Sequence, residues 1–202
     1  MTSDQALRFI IKPAVFISCL LPLAWLLYAA FADALGPNPI EALLRQSGDW
    51  VLRFLLITLS MTPLRKITGW SGWIRLRRML GLYTFFYAVL HFTIYIWLDR
   101  ELLWSEVLVD IGKRPYITVG FTALVLMIPL ALTSTRGWQR RLGRNWKKLH
   151  QLVYISAVGG VFHYLWLVKA DTRDPLIYAG WLLVVLALRA WWQHRRQALI
   201  TN

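Results

Sequence analysis

Apolar runs approaching ~20 residues recur along this chain, and ~20 residues is what a helix needs to cross the hydrocarbon core of a bilayer. No soluble fold of 202 residues can hide that much apolar surface; 57% of the chain is hydrophobic and only 16% is charged. An ordinary soluble domain carries about 25% charged residues. The composition excludes a soluble globular protein, a disordered chain and a disulfide scaffold. It argues against a two-domain enzyme, because little chain is left outside the apolar runs. The expected class is all-α: a small polytopic membrane bundle.

Six spans are expected, at about Pro13–Ala32, Asp49–Leu64, Met79–Leu98, Tyr116–Thr133, Leu149–Val168 and Pro175–Trp192. The second is short. Pro22, Pro63 and Pro129 lie in or near spans, where membrane helices tolerate them. Arg8 and Lys12 before an apolar stretch, with Ala30-Phe31-Ala32 after it, imitate a signal peptide. The stretch is too long for a signal core, so it reads as an uncleaved first helix. No internal repeat is visible.

The net charge of +13 raises nucleic acid as a partner, but the charge map argues against it. Most Lys and Arg fall before span one, between spans two and three (Arg65 to Arg78), between spans four and five (Arg136 to Lys148), and at the C-terminal end (Arg189, Arg195, Arg196). Asp4 is the lone acid in these segments. The remaining nine acids, Asp33, Glu41, Asp49, Asp99, Glu101, Glu106, Asp110, Asp171 and Asp174, fall in the other three loops. By the positive-inside rule both termini and the basic loops face the cytoplasm. Trp50, Trp97, Trp104, Trp138, Trp146 and Trp166 sit near span ends and read as an interfacial belt. Cys19, inside an apolar run, reads as a small buried residue.

Ionisable side chains are expensive in a membrane and mark function by default. His91 lies in span three and His163 in span five, and each precedes an outward acid, Asp99 or Asp171, by eight residues. Eight residues rise ~12 Å, so the two imidazoles are expected at one depth, outward of the midplane. Two histidines at one depth on two parallel spans can clamp one metal centre. In a helical bundle without a CxxCH stretch the natural candidate is haem b, held by two axial imidazoles and suited to electron transfer. Gly159 and Gly160, a turn before His163, are expected to let a macrocycle approach the backbone. The aromatics Tyr87, Phe92, Tyr95, Phe162, Tyr164 and Trp166 flank the pair.

His150 opens span five, 13 residues or ~20 Å before His163. It could ligate a second haem, though on an ideal helix its side chain points ~140° away and span three offers no matching His. It could instead contact the first site, a flavin or a quinone. His194 in the tail reads as interfacial. Arg53 either snorkels to the outer interface or pairs with a haem propionate. The basic loops set topology and could also hold a flavin phosphate. No glycine-rich phosphate loop is present and no room is left for a nicotinamide- or flavin-binding domain, so the electron source is a quinol or a separate protein.

Two stretches resemble a known family. One is Arg77-Arg78-Met79-Leu80-Gly81-Leu82-Tyr83 with Tyr87 and His91. The other is Leu132-Thr133-Ser134-Thr135, then Asn145-Trp146-Lys147-Lys148-Leu149-His150-Gln151-Leu152-Val153-Tyr154, then His163. With the six-span layout they resemble, over nearly the whole chain, the haem-binding membrane subunits of bacterial periplasmic protein-methionine-sulfoxide reductase systems (the MsrQ/YedZ family, in the ferric-reductase-like transmembrane group). The resemblance implies a single domain over residues 1–202 in the bacterial inner membrane, binding haem b and FMN. It implies electron flow from the quinone pool or a cytoplasmic flavin reductase to a periplasmic molybdopterin-containing methionine-sulfoxide reductase, which repairs oxidised periplasmic proteins. His91, His150 and His163 match the family's haem-associated histidines. The wider group usually carries two histidines on each of two spans, whereas span three here has one. The alternatives are a membrane ferric-chelate reductase, the cytochrome b anchor of another dehydrogenase or a hydrogenase, and a transporter with structural histidines. The outer loops Asp99–Arg114 and Ala170–Asp174 are the expected docking surface.

Overall fold

A computed structural model describes residues 2–168 and 171–201, with side chains as far as Arg195. Lys169, Ala170 and the side chain of Arg196, which entered the loop and charge expectations, lie outside the described residues. A short α1 (Ser3–Ala6) runs through a π-helical stretch, Leu7–Ile11, into α2 (Lys12–Phe31). Next come α3 (Pro39–Thr68) and α4 (Gly72–Ile94), which continues as a π-helix over Tyr95–Asp99. Then follow α5 (Trp104–Lys113), α6 (Pro115–Leu132), α7 (Arg136–Leu142), α8 (Arg144–Leu149), α9 (Leu152–Leu167) and α10 (Arg173–Thr201).

Among the described residues four helical stretches are long and apolar enough to cross a membrane: Ser3–Phe31, Gly72–Asp99, Pro115–Leu132 and Arg173–Arg195. These match four of the expected spans. The second and fifth differ. The second is not a short segment from Asp49 but the 30-residue α3, which begins ten residues earlier. Asn38 starts it: its side-chain oxygen accepts from the Glu41 amide, its amide donates to the Glu41 carboxylate at 2.9 Å, and Pro39 opens the first turn. Glu41 and Asp49 therefore lie on a helix rather than in an irregular loop. Likewise Glu106 and Asp110 lie on α5. The fifth expected span is cut to 16 residues, since a turn at His150 and Gln151 separates α8 from α9.

The reason α3 carries charges is its position. Leu52, Leu55, Leu56 and Leu59 pack against Ala157 and Val161 of α9 and Tyr178, Leu182 and Val185 of α10. Its Phe54 and Met61 join Cys19 of α2 and Leu76, Leu80, Tyr83 and Tyr87 of α4 in a second cluster. A helix surrounded by others meets polar partners instead of lipid. Arg53 donates to the Tyr178 hydroxyl at 2.9 Å and lies 4.8 Å over the Trp50 ring, so it ties α3 to α10 rather than reaching the interface alone. Ser60 accepts from Trp181 at 3.0 Å, and the Leu59 carbonyl accepts from Arg189.

Two tyrosines of α4 fasten α2. Tyr83 donates to the Phe16 carbonyl at 3.0 Å. Tyr87, wholly buried, donates to the Cys19 carbonyl at 2.8 Å and accepts from the Leu23 amide at 3.0 Å. Its hydroxyl thus stands between the two groups that would close one turn of α2. Trp97, Trp104 and Trp166 are exposed. Trp146 instead turns inward and donates to the Thr133 carbonyl at 2.9 Å.

Candidate cofactor site

Two helical hairpins build the site. In the first, α3 descends and α4 returns after a three-residue turn stopped by Gly69 in the left-handed region (φ 74°). His91 of α4 faces α3. Its Nδ1 lies 3.1 Å from the Leu44 carbonyl and 3.1 Å from the Ser47 hydroxyl. One turn on from Leu44 stands Gly48, where an added Cβ would meet His91 Cε1 at 3.2 Å. In the second hairpin His163 of α9 faces α6. Its Nδ1 lies 2.7 Å from the Tyr116 carbonyl, and Gly120, again one turn on, leaves room for the ring. A Cβ there would stand 2.7 Å from Nδ1.

Both carbonyls precede their histidines by 47 residues. The same solution is therefore used twice: a carbonyl, a glycine one turn later, and an imidazole from the partner helix. The sequence shows no such repeat, because the residues that repeat are a backbone oxygen and a missing side chain.

The carbonyls set the chemistry of the rings. A carbonyl only accepts, so each Nδ1 carries the proton and each Nε2 keeps its lone pair as a ligand. The two rings come together with centroids 6.3 Å apart and planes at 77°. Two imidazoles on opposite sides of one metal ion, each bonded at about 2.0–2.1 Å, hold ring centres about 6–6.5 Å apart. The separation of the two rings matches that distance. Among the described residues no cluster of three or more His, Cys, Asp or Glu could hold a metal ion. A donor set of two imidazoles suits an ion whose remaining ligands come with it, as in haem.

Several expectations need correction. Gly159 and Gly160 do not face the histidine pair. Gly159 packs on Ala123 and Val119 of α6, with an added Cβ at 3.5 and 3.7 Å, and Gly160 packs on Leu52 of α3. They are helix-packing residues. The flanking aromatics disperse: Tyr87 serves α2, Phe162 and Trp166 point outward, and Tyr164 packs on Tyr178. The ring beside His163 is Tyr116, at 6.4 Å. The residues that sequence reasoning missed are Ser47, Gly48, Tyr116 and Gly120. A glycine inside an apolar helix is the one available signal, and Gly120 carried it.

His150 is not brought to the pair. It sits in the turn between α8 and α9, stacked on Trp146 with ring centroids 3.9 Å apart, and its Nδ1 lies 3.1 Å from the Trp146 carbonyl. The turn interrupts the single straight helix on which the offset between His150 and His163 was reckoned. His194 is exposed.

Comparison with known proteins follows the same residues. The family described as "Ferric reductase like transmembrane component" matches residues 47–161, from Ser47 to two residues before His163. A protein of Xanthomonas campestris pv. campestris named "Protein-methionine-sulfoxide reductase heme-binding subunit MsrQ" is 51% identical over 186 residues, covering 89% of this chain and 85% of its own. A protein of that name from Xanthomonas oryzae pv. oryzae is 49% identical, with 95% and 90% covered. Another from Herminiimonas arsenicoxydans is 48% identical, with 94% and 88% covered. No solved structure matches the chain significantly.

Proposed function

Since this chain belongs to the ferric-reductase-like transmembrane family and, within it, to the MsrQ haem-binding subunits, we propose that it is a membrane electron-transfer subunit holding haem b between His91 and His163. The single observation that carries this reading is the imidazole pair, 6.3 Å apart, each ring locked by a backbone carbonyl. A haem held by His91 and His163 would supply one-electron transfer. The protein's part is to fix both rings before the group binds. Leu44 and Tyr116 set the tautomers, Gly48 and Gly120 set the ring positions, and Ser47 adds a polar contact to His91 alone. Rigid ligands keep the reorganisation that accompanies electron transfer small.

The chain spans the bacterial inner membrane six times in this reading, α3 and α9 completing the four apolar helices, with both termini cytoplasmic. Electrons enter from quinol or from a cytoplasmic flavin reductase. They leave to a periplasmic molybdopterin-containing methionine-sulfoxide reductase. His150 is the second cofactor contact, at the cytoplasmic side, for a further haem or for FMN. The test is a dithionite-reduced minus oxidised spectrum of the purified protein, with haem quantified per chain. A low-spin haem b signal is expected. An intact protein that takes up no haem under adequate supply sinks the reading.

A further inference from the structure

A groove of about 560 Å³ lies between α2 and α4, at the end of the bundle where both helices carry cations. Two stripes line it. On α2 the stripe runs from Lys12 through Phe16 to Leu20, and on α4 from Arg75 and Arg78 through Leu82 to Phe86. Residues three and four apart share a helix face, so each stripe is one continuous wall. Both walls grade from cation to hydrocarbon in the same direction. From Arg75 to Phe86 the rise is about 16 Å, close to half the hydrocarbon thickness of a bilayer.

The groove is built rather than left over. Its floor is fixed by the Tyr83 hydrogen bond to the Phe16 carbonyl, with the Phe16 and Tyr83 rings edge to face at 5.6 Å. Its walls stay open, Phe16, Leu82 and Phe86 being 49%, 37% and 41% exposed. Its charge is unbalanced. Arg75 pairs with Asp4 at 2.6 Å on the exposed rim, while among the described residues neither Lys12 nor Arg78 has an acidic partner. A free anion would use the cations and leave the apolar walls bare. A neutral quinol would use the walls and leave the cations bare. An anionic phospholipid uses both, and basic pockets between membrane helices favour such headgroups.

We propose that this groove binds one anionic phospholipid, its phosphate held by Lys12 and Arg78 with Arg75 at the rim, and an acyl chain lying along Phe16, Leu82 and Phe86. The site is separate from the histidine pair and stands whether or not haem binds there. Native mass spectrometry of the full chain in detergent, titrated with phosphatidylglycerol or phosphatidylcholine, tests it. One phosphatidylglycerol is expected to be retained per chain in preference to phosphatidylcholine. Lys12→Gln and Arg78→Gln should each weaken retention about fivefold. Leu82→Trp, which fills the slot, should weaken it with the cations intact. Lys147→Gln, at the same end of the sequence's charge pattern but outside the groove, should change nothing. Equal retention of both lipids overturns the proposal, as does an equal loss in Lys147→Gln. So does competition by inorganic phosphate alone, which would mark an anion site, or by decylubiquinone, which would mark a quinone slot. Thermal unfolding of each variant without lipid confirms that it is folded.

Discussion

The α3–α4 hairpin and the α6–α9 hairpin solve one problem under different constraints. Each presents an imidazole whose Nδ1 is held by a backbone carbonyl, and in the proposed function each Nε2 is a haem ligand. Each uses a carbonyl 47 residues upstream and a glycine one turn past that carbonyl. They differ in tightness. His163 sits 2.7 Å from its carbonyl with no second hydrogen-bond partner among the described residues, and a Cβ at Gly120 would collide with it. His91 sits 3.1 Å from its carbonyl and shares the contact with Ser47, while a Cβ at Gly48 would meet the ring at a tight but adjustable 3.2 Å. One half holds its ligand by steric fit, the other by a looser two-point contact. Equal placement of two ligands therefore does not mean equal tolerance to change.

The largest expected effect treats both halves alike. His91→Ala and His163→Ala should each abolish the low-spin haem b spectrum, and haem surviving in either variant would break the pairing. Next, Gly120→Ala should do more harm than Gly48→Ala. Overpacking of this kind costs about 1–3 kcal/mol, and disturbing the shell behind a metal ligand costs about 10–100-fold in affinity. Haem content and apparent haem affinity of the two variants measure the difference; a reversed order would refute the asymmetry. Smaller again is Ser47→Ala, which removes one contact of His91 worth about 1 kcal/mol. It should shift the reduction potential while leaving haem content intact; on the α6 side the described hydrogen-bond partner of His163 is the Tyr116 backbone carbonyl, which a side-chain substitution does not remove. The smallest effect is expected at Gly159→Ala. Its Cβ would make ordinary contact with Ala123 and Val119, so stability should change by about 0.5 kcal/mol or less and the spectrum not at all. A spectral loss at Gly159 would return the macrocycle to the glycines that the sequence first suggested.

Much of the fold is legible without coordinates because hydropathy and charge act through simple sums. Four apolar helices fall where the runs place them, and the common depth of His91 and His163 follows from counting back to Asp99 and Asp171. The start of α3 is also present, in Asn38-Pro39-Ile40-Glu41, but the charges after it speak for a loop. Only packing reverses that inference: α3 lies among α2, α4, α9 and α10, and its Arg53 meets Tyr178 instead of lipid. At the break, too, a contact the sequence does not display is made: Trp146 donates to the Thr133 carbonyl and the His150 imidazole stacks on it.

The sequence by itself determined the membrane class, the alternation of basic and acidic segments and the choice of the two histidines, because each of these depends on residue type and linear spacing. The tertiary structure alone decided which glycines and which carbonyls serve those histidines. A backbone oxygen has no letter of its own, and a glycine's role is the shape of what it leaves empty. Both acquire meaning only when a second helix, 47 residues away, brings a ring against them.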